Sequence, residues 1–299
     1  MRGIVLIAAG HPLYTHYAYN LALSIRVRSD IPIVLFYQGD GITYLFDDQK
    51  AVFSDMFEIP LEYYAVGDRH EYIKIKTHLY EMTPFDETIF LDADMILSPF
   101  KNIEDLFNEN KDCNIQFACR GDKKMTDGIH SEWVNLKEVA AIFDIDHWYE
   151  LSSDVIYWKQ SEQAQAVFET AKYYYSHHGM DRKRWVNGKL EIKDNAIMEF
   201  AGGIPDEVPF GIALEKCGVK IRSPYLPSYW QPYYFTKIHS EIDIQKNFYL
   251  ISTGGATKQT NIERLYNNLC KHYSQQTEKK RVPYQLQEKR KLISERNKI

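Results

Sequence analysis

Ile4-Val5-Leu6-Ile7-Ala8-Ala9-Gly10 is an unbroken apolar run that stops at a glycine. Lacking polar alternation, it reads as a strand buried on both faces of a parallel sheet. Thr15 is placed to cap a following helix, whose stripe Ala18, Leu21, Ala22 and Ile25 has helical spacing. Residues 31–37 read as a second strand, closed by the turn Gln38-Gly39-Asp40-Gly41, and residues 61–66 as a third. A helix with Tyr72, Ile75, Leu79 and Met82 on one face is then stopped by Pro84. Residues 88–91 form a short strand that runs straight into acids. Strands alternating with helices across short turns predict an α/β sandwich around a mostly parallel sheet. Ligands of such sheets bind beyond the carboxyl ends of the strands. Gly10 and Asp92 both stand at such ends, so one crevice is expected to hold both.

The second half is less regular. Residues 155–158 read as a strand, and Val167, Thr170, Ala171 and Tyr174 as one helix face. A helix is expected over 206–217 with Gly218 as its left-handed stop, then a strand over 219–222. Ile262, Leu265, Tyr266 and Leu269 repeat at helical spacing. No internal repeat and no Gly/Ser linker interrupts the chain.

Composition narrows the class. The 299 residues are 44% hydrophobic and 26% charged with a net charge of −5, so no global basic field draws the chain to nucleic acid. Residues 278–299 carry eight Lys/Arg against three Glu, a local +5 that leaves −10 elsewhere. This stretch reads either as a solvated end or as a basic amphipathic arm for membrane phosphates or nucleic acid. Cys113, Cys119, Cys217 and Cys270 form no C-x-x-C pair and no metal spacing, and read as reduced core thiols of a cytoplasmic protein. The run at 4–9 is too short for a membrane span or a secretory core segment. The 22 Tyr and 5 Trp exceed what a core needs.

The sharpest chemical feature is Ile89-Phe90-Leu91-Asp92-Ala93-Asp94-Met95-Ile96-Leu97. Two carboxylates between apolar runs are costly unless something compensates them. Residues i and i+2 of an extended segment point the same way, so both can aim at one hard cation such as Mn²⁺ or Mg²⁺. The alternative is a pair of solvated turn acids.

With these surroundings the chain resembles the GT-A glycosyltransferases, particularly the glycogenin-like and galactosyltransferase-like enzymes of family 8. The likeness is good over 1–106 and patchy beyond. It implies a GT-A fold over 1–258, with a nucleotide-binding half at about 1–106, an acceptor half at 107–258, and a C-terminal helix and basic tail at 259–299. It implies a nucleotide-sugar donor, most naturally UDP-linked, and metal binding by Asp92 and Asp94, with Ala93 beside the nucleotide. Ala8, Ala9, Gly10 and Tyr14 match the loop that holds the base, Tyr14 supplying a stacking ring. Lys76, sixteen residues before Asp92, matches the lysine that approaches the nucleotide. Leu151-Ser152-Ser153-Asp154-Val155-Ile156-Tyr157 stands where the family has its sugar-pocket strand, which makes Ser153 and Asp154 candidates. Gly202-Gly203-Ile204-Pro205-Asp206-Glu207 resembles the family's Gly-Gly-Asp-Gln stretch. Asp206 or Glu207 would then orient sugar hydroxyls or support developing positive charge, unless both are simply favourable acids in a helix's first turn.

The clearest departure is at the third metal ligand. Ser252-Thr253-Gly254-Gly255-Ala256-Thr257-Lys258 keeps the family's Gly and Lys spacing but puts Ser252 in place of histidine. Ser252 is the candidate at that position but a poorer ligand than imidazole for Mn²⁺; either two carboxylates, diphosphate and water hold the ion, or His239 substitutes from elsewhere. Gly255 and Lys258 are placed to meet the diphosphate, Lys258 as a point charge.

Tyr173-Tyr174-Tyr175-Ser176-His177-His178 followed by Arg182, Arg184 and Trp185, and the loop with Tyr225, Tyr229, Trp230, Tyr233 and Tyr234, offer ring faces for sugars or bases, or pack loops on the core. An envelope glycan, polysaccharide or lipid-linked acceptor ranks first, with peripheral membrane contact through the tail; nucleic acid ranks last. Among rival classes, a nucleotidyltransferase would follow its first strand with a Gly-rich basic loop, and a dehydrogenase or P-loop NTPase would carry its own glycine motif. His11-Pro12-Leu13-Tyr14 supplies none of these. A non-catalytic nucleotide-sugar binder stays open, because Ser252 could mark a decayed metal site.

Overall fold

The computed structural model describes residues 1–124, 134–176, 182–186, 189–191, 197–198, 205–229, 240–253 and 260–279. The chain divides into two compact units. The first comprises Met1–Ile59, Pro84–Asp112 and Leu226–Ile299, and the second Pro60–Thr83 and Cys113–Tyr225.

The first unit opens with β1 (Arg2–Ala8), α1 (Leu13–Arg26), β2 (Ile33–Tyr37) and β3 (Asp55–Glu58). After the excursion of residues 60–83 it continues with β4 (Glu87–Leu91), β5 (Met95–Leu97) and α2 (Ile103–Asn110). β1 pairs in parallel with β2 on one side and β4 on the other, and β2 pairs in parallel with β3. Ile4, Val5, Leu6, Ile89 and Leu91 are fully buried, which is why these strands carry no polar alternation. The α/β architecture with a mostly parallel sheet is thus the one the sequence predicts.

Local details differ. Thr15 is no cap: Pro12 occupies the N-cap, α1 begins at Leu13, and Thr15 is buried inside the first turn. The third strand is Asp55–Glu58 rather than 61–66. Pro60 instead starts a tight 3₁₀ turn over Leu61–Tyr63, and Ala65–Val66 pairs with Arg69–His70 in a minimal hairpin.

In the second unit, the helix expected around Tyr72–Met82 is a 3₁₀ helix, Tyr72–His78, that passes into one α-turn, Leu79–Met82. Ile75, Leu79 and Met82 are buried as the stripe requires. β6 (Ile115–Lys124) pairs antiparallel with β7 (His147–Lys159), a strand far longer than 155–158. Two helices follow, α3 (Glu162–Ser176) and α4 (Glu207–Lys216). Between them, Arg182–Val186 pairs with Lys189–Glu191 and Ile197–Met198. Phe168 of α3 meets Trp158 of β7 and Phe210 of α4 at ring separations of 5.2 and 5.4 Å, and Phe210 meets Phe117 of β6 at 4.9 Å. Gly218, at φ +63°, ends α4 in the left-handed conformation. Residues 219–222 are not a strand: the Val219 amide donates back to Leu214 and the Arg222 amide to the side chain of Gln116.

The chain then supplies β8 (Leu250–Ser252) and α5 (Thr260–Lys279) to the first unit. β8 runs antiparallel to β5 and parallel to Ser228–Tyr229. Ile262, Leu265, Tyr266 and Leu269 are buried, as their spacing predicts. The tail beyond residue 279 lies outside the described residues. All four cysteines are free, but only Cys119 is buried; Cys113, Cys217 and Cys270 are partly exposed, so the core reading fails for those three. Among the described residues no helix is long and apolar enough to cross a membrane.

Candidate active site

Each unit carries a cluster of candidate residues. In the first, β1 and β4 run in parallel with Leu6 opposite Leu91, so Gly10 and Asp92 leave neighbouring strands at the same end. Ala8 closes β1, and Gly10, at φ +84°, lets the chain turn into α1 where a side chain would be strained. The Gly10 amide donates to Gln38 Oε1 at 3.0 Å and the Gln38 amide to the Ala8 carbonyl at 3.1 Å. The Ala8-Ala9-Gly10 loop is thereby tied to the turn after β2. Tyr14 stands in the first turn of α1, edge-on to Tyr17 at 6.2 Å.

Asp92-Ala93-Asp94 forms the turn between β4 and β5. Asp92 is half-buried, while Ala93 and Asp94 are buried, Asp94 to 8% exposure. The Asp94 carbonyl accepts from both the amide and the hydroxyl of Thr253, at 3.0 and 3.1 Å. Ser252, also buried, is in register with Met95, the residue after Asp94. Burial, and then the Asp94 carboxylate, push the Tyr17 phenol above its ordinary range.

Among the described residues no three His, Cys, Asp or Glu side chains are grouped to hold a metal. The turn supplies two carboxylates, and Ser252 is in register with the residue after Asp94; oxygen donors of this kind suit Mn²⁺ or Mg²⁺ and not a soft ion. The chemistry of these oxygen donors fits a hard divalent cation. Gly255, Lys258 and His239 lie outside the described residues.

In the second unit, the β6–β7 ladder breaks where Phe117 pairs Ile156 but Ala118 pairs Ser152, leaving Ser153, Asp154 and Val155 in a bulge. Lys76 Nζ donates to Ser153 Oγ at 3.0 Å and lies 3.6 Å from Asp206 Oδ2. Ser153 Oγ donates to Glu207 Oε1 at 3.3 Å. Asp206 is at the N-cap of α4, yet its side chain makes no capping bond. Buried to 4% exposure beside Lys76, it is held by more than a helix dipole. Lys76, Ser153, Asp206 and Glu207 are therefore one connected cluster, and Asp154 is their neighbour in the bulge. Gly202 and Gly203 lie outside the described residues.

Of the aromatic stretches, Tyr175 is buried, Tyr174 partly so, and Tyr173 is 56% exposed. Tyr229 is buried, and Arg222 lies over the Tyr225 ring at 4.3 Å. His177, His178, Trp230, Tyr233 and Tyr234 lie outside the described residues. Two residues in contact with candidates are not singled out by the sequence reading. Thr253 follows Ser252 directly, and Tyr17 stands one helical turn from Tyr14; adjacency to each candidate was the available signal.

No family model and no curated protein sequence matches the chain. Solved structures do. A galactosyltransferase, LgtC, solved with donor and acceptor sugar analogs, matches over 97% of this chain and 100% of its own, with a TM-score of 0.51 and 13% identity. The bifunctional glycosyltransferase WbbM matches over 98% of this chain with a TM-score of 0.53 and 10% identity. GlyE, a glycosyltransferase of Streptococcus pneumoniae TIGR4, matches over 95% with a TM-score of 0.53 and 11% identity. The chain spans about half of the WbbM chain (51%) and 65% of GlyE. It has the GT-A-like fold of these glycosyltransferases.

Proposed function

We propose that this chain is a metal-dependent glycosyltransferase that moves a sugar from a nucleotide sugar, UDP-linked by preference, to an acceptor hydroxyl. One observation carries the reading: parallel β1 and β4 deliver the Gly10 turn and the Asp92-Ala93-Asp94 turn at the same end, with Ser252 and Thr253 brought to Asp94 by β8. The fold shared with known glycosyltransferases supports it.

Asp92 and Asp94, with Ser252, would hold the divalent cation. When bound, such a cation acts as a Lewis acid toward the charge that develops on a leaving diphosphate. The chain's own residues do the rest. The Ala8-Ala9-Gly10 backbone and the Tyr14 ring hold the base, Ala93 and Gly255 line the nucleotide, and Lys258 adds fixed positive charge. Placing the base places the anomeric carbon for attack.

From the family resemblance we assign Lys76 and Ser153 to the donor nucleotide, and Asp154, Asp206 and Glu207 to the donor sugar. Lys76, oriented by Ser153 and Asp206, supplies positive charge that needs no reorganisation during reaction. Asp206 and Glu207, with Asp154, orient hydroxyls and stabilise oxocarbenium character. The leaving phosphate accepts the acceptor's proton in a retaining reaction. The acceptor we favour is an envelope glycan, polysaccharide or lipid-linked saccharide, with the 278–299 tail resting on anionic membrane on the cytoplasmic side.

A thermal-shift screen of nucleotide sugars with Mn²⁺ tests the reading. A nucleotide sugar that stabilises the protein only with the metal is expected. Equal stabilisation with and without metal, or none across the panel, would contradict it.

A further inference from the structure

The helix α5 reaches both halves of the first unit's cluster through one intermediary each, Tyr17 and Leu97. Tyr266 is buried and packs edge-on against Tyr17 at 5.8 Å, and Tyr17 in turn packs edge-on against Tyr14 at 6.2 Å. Asn20 Nδ2 donates to the Tyr266 hydroxyl at 3.4 Å, which fixes the end of that ring. Three tyrosines from α5 and α1 thus form a ladder that ends on the candidate base-stacking ring. Two turns further along α5, the fully buried Tyr273 donates its hydroxyl to the Leu97 carbonyl at 2.8 Å. Leu97 is three residues after Asp94, and its amide donates to Ser24 Oγ of α1 at 3.1 Å. The strand that leaves the acidic turn is therefore clamped from α1 and from α5 at one residue.

Burial holds the phenols of Tyr266 and Tyr273 in their neutral form. It pushes the Tyr266 and Tyr273 phenols far above their ordinary range and the Cys270 thiol up to about 11. A phenylalanine would fill the same space, but it could not close the bond to Leu97 or meet Asn20.

We infer that α5 is a positioning element of the donor site: Tyr266 sets the base-stacking ring through Tyr17, and Tyr273 sets the acidic turn through Leu97. This rests on the donor-site reading above. The two arms make separate demands, and that separation is testable. Binding of uridine diphosphate is measured by calorimetry with Mn²⁺ and with chelator, for wild type, Tyr266→Leu, Tyr266→Phe and Tyr273→Phe, alongside melting temperatures.

Tyr266→Leu is expected to weaken metal-free binding about fivefold, since it loses a ring contact, and Tyr266→Phe to restore most of it. Tyr273→Phe is expected to leave metal-free binding unchanged and to reduce the Mn²⁺-dependent gain about fivefold, because one hydrogen bond is lost. Variants that melt lower yet bind as wild type does, or that shift both affinities together, overturn the inference by reducing α5 to a structural helix. A wild type that binds no uridine diphosphate in either condition overturns the donor-site reading itself, and the inference with it.

Discussion

Thr253 donates twice to one oxygen of Asp94, its amide at 3.0 Å and its hydroxyl at 3.1 Å. The peptide between the second acid and β5 is thus held by the residue that follows β8. Thr253→Val keeps the shape and the amide bond but deletes the hydroxyl donor. One lost hydrogen bond is worth about 1 kcal/mol, so Mn²⁺ affinity in the presence of uridine diphosphate should fall about fivefold. Metal titration by calorimetry checks this. Undiminished affinity would show that the strap does not tune the acids.

Buried Asp206 and partly buried Lys76 form a close pair, with side chains 6% and 15% exposed. Lys76→Met leaves the Asp206 carboxylate in place without its cation. Removing one partner of a buried pair costs about 3 kcal/mol or more, and Asp206→Asn added to it should recover part of that loss. Urea denaturation of the single and double variants reads the outcome. An unmoved midpoint in Lys76→Met would mean that solvent already screens the pair.

Acid should destabilise the second unit through His78. Burial pushes this imidazole below its usual range, although the Glu81 carboxylate beside it pulls the other way. The folded state therefore favours the neutral ring, stacked on Tyr63 at 4.2 Å. An unfolded histidine takes up its proton near about pH 6.5. The stabilisation is complete above that pH and is lost as pH falls from there through the lower folded-state value. For Glu81, burial pushes upward, but hydrogen bonds from Lys172 and His78 hold it below its usual range, so its contribution is lost only at still lower pH. Unfolding free energy should decline between pH 7 and pH 5 with a slope of at most about 1.4 kcal/mol per unit from this residue. His78→Gln should flatten that slope. Identical pH profiles for the two proteins would refute the assignment.

Gly3 lies in β1 against the ring of Phe85, and a Cβ at Gly3 would overlap that ring. Phe85 is buried, so it has little room to yield. Gly3→Ala should destabilise by about 1–3 kcal/mol, as overpacking does, and Phe85→Leu should relieve part of the cost. Thermal unfolding of the single and double variants would show this; a neutral Gly3→Ala would disprove the tight contact.

The sequence made the buried strands plain and the marginal ones obscure. Residues 4–6 of β1 and 89–91 of β4 are apolar without alternation because both faces are covered, so the apolar runs located them. β3 offers no such run, since Asp55, Met56 and Phe57 are only partly buried. The apolar letters of 61–66 read as a strand although Leu61 is 56% exposed, because composition does not reveal that Pro60 turns the chain. Asp92 and Asp94 stood out because acids between apolar runs need a reason to be there. The tie from Lys76 to Ser153 joins residues 77 apart in sequence, and no spacing rule reaches across that distance. Thr253 was invisible for a related reason: its role depends on the β5–β8 register, which only the folded chain defines.

The most direct measurement is hydrolysis of a panel of UDP-sugars without acceptor, followed as release of uridine diphosphate, for wild type, Asp92→Asn and Asp94→Asn with Mn²⁺ or with chelator. Under the proposed function, wild type turns over at least one UDP-sugar slowly with Mn²⁺, a turnover abolished by chelator and reduced about a hundredfold or more in each variant. Turnover indifferent to chelator and to both substitutions, or saturable binding with no turnover at all, would contradict it.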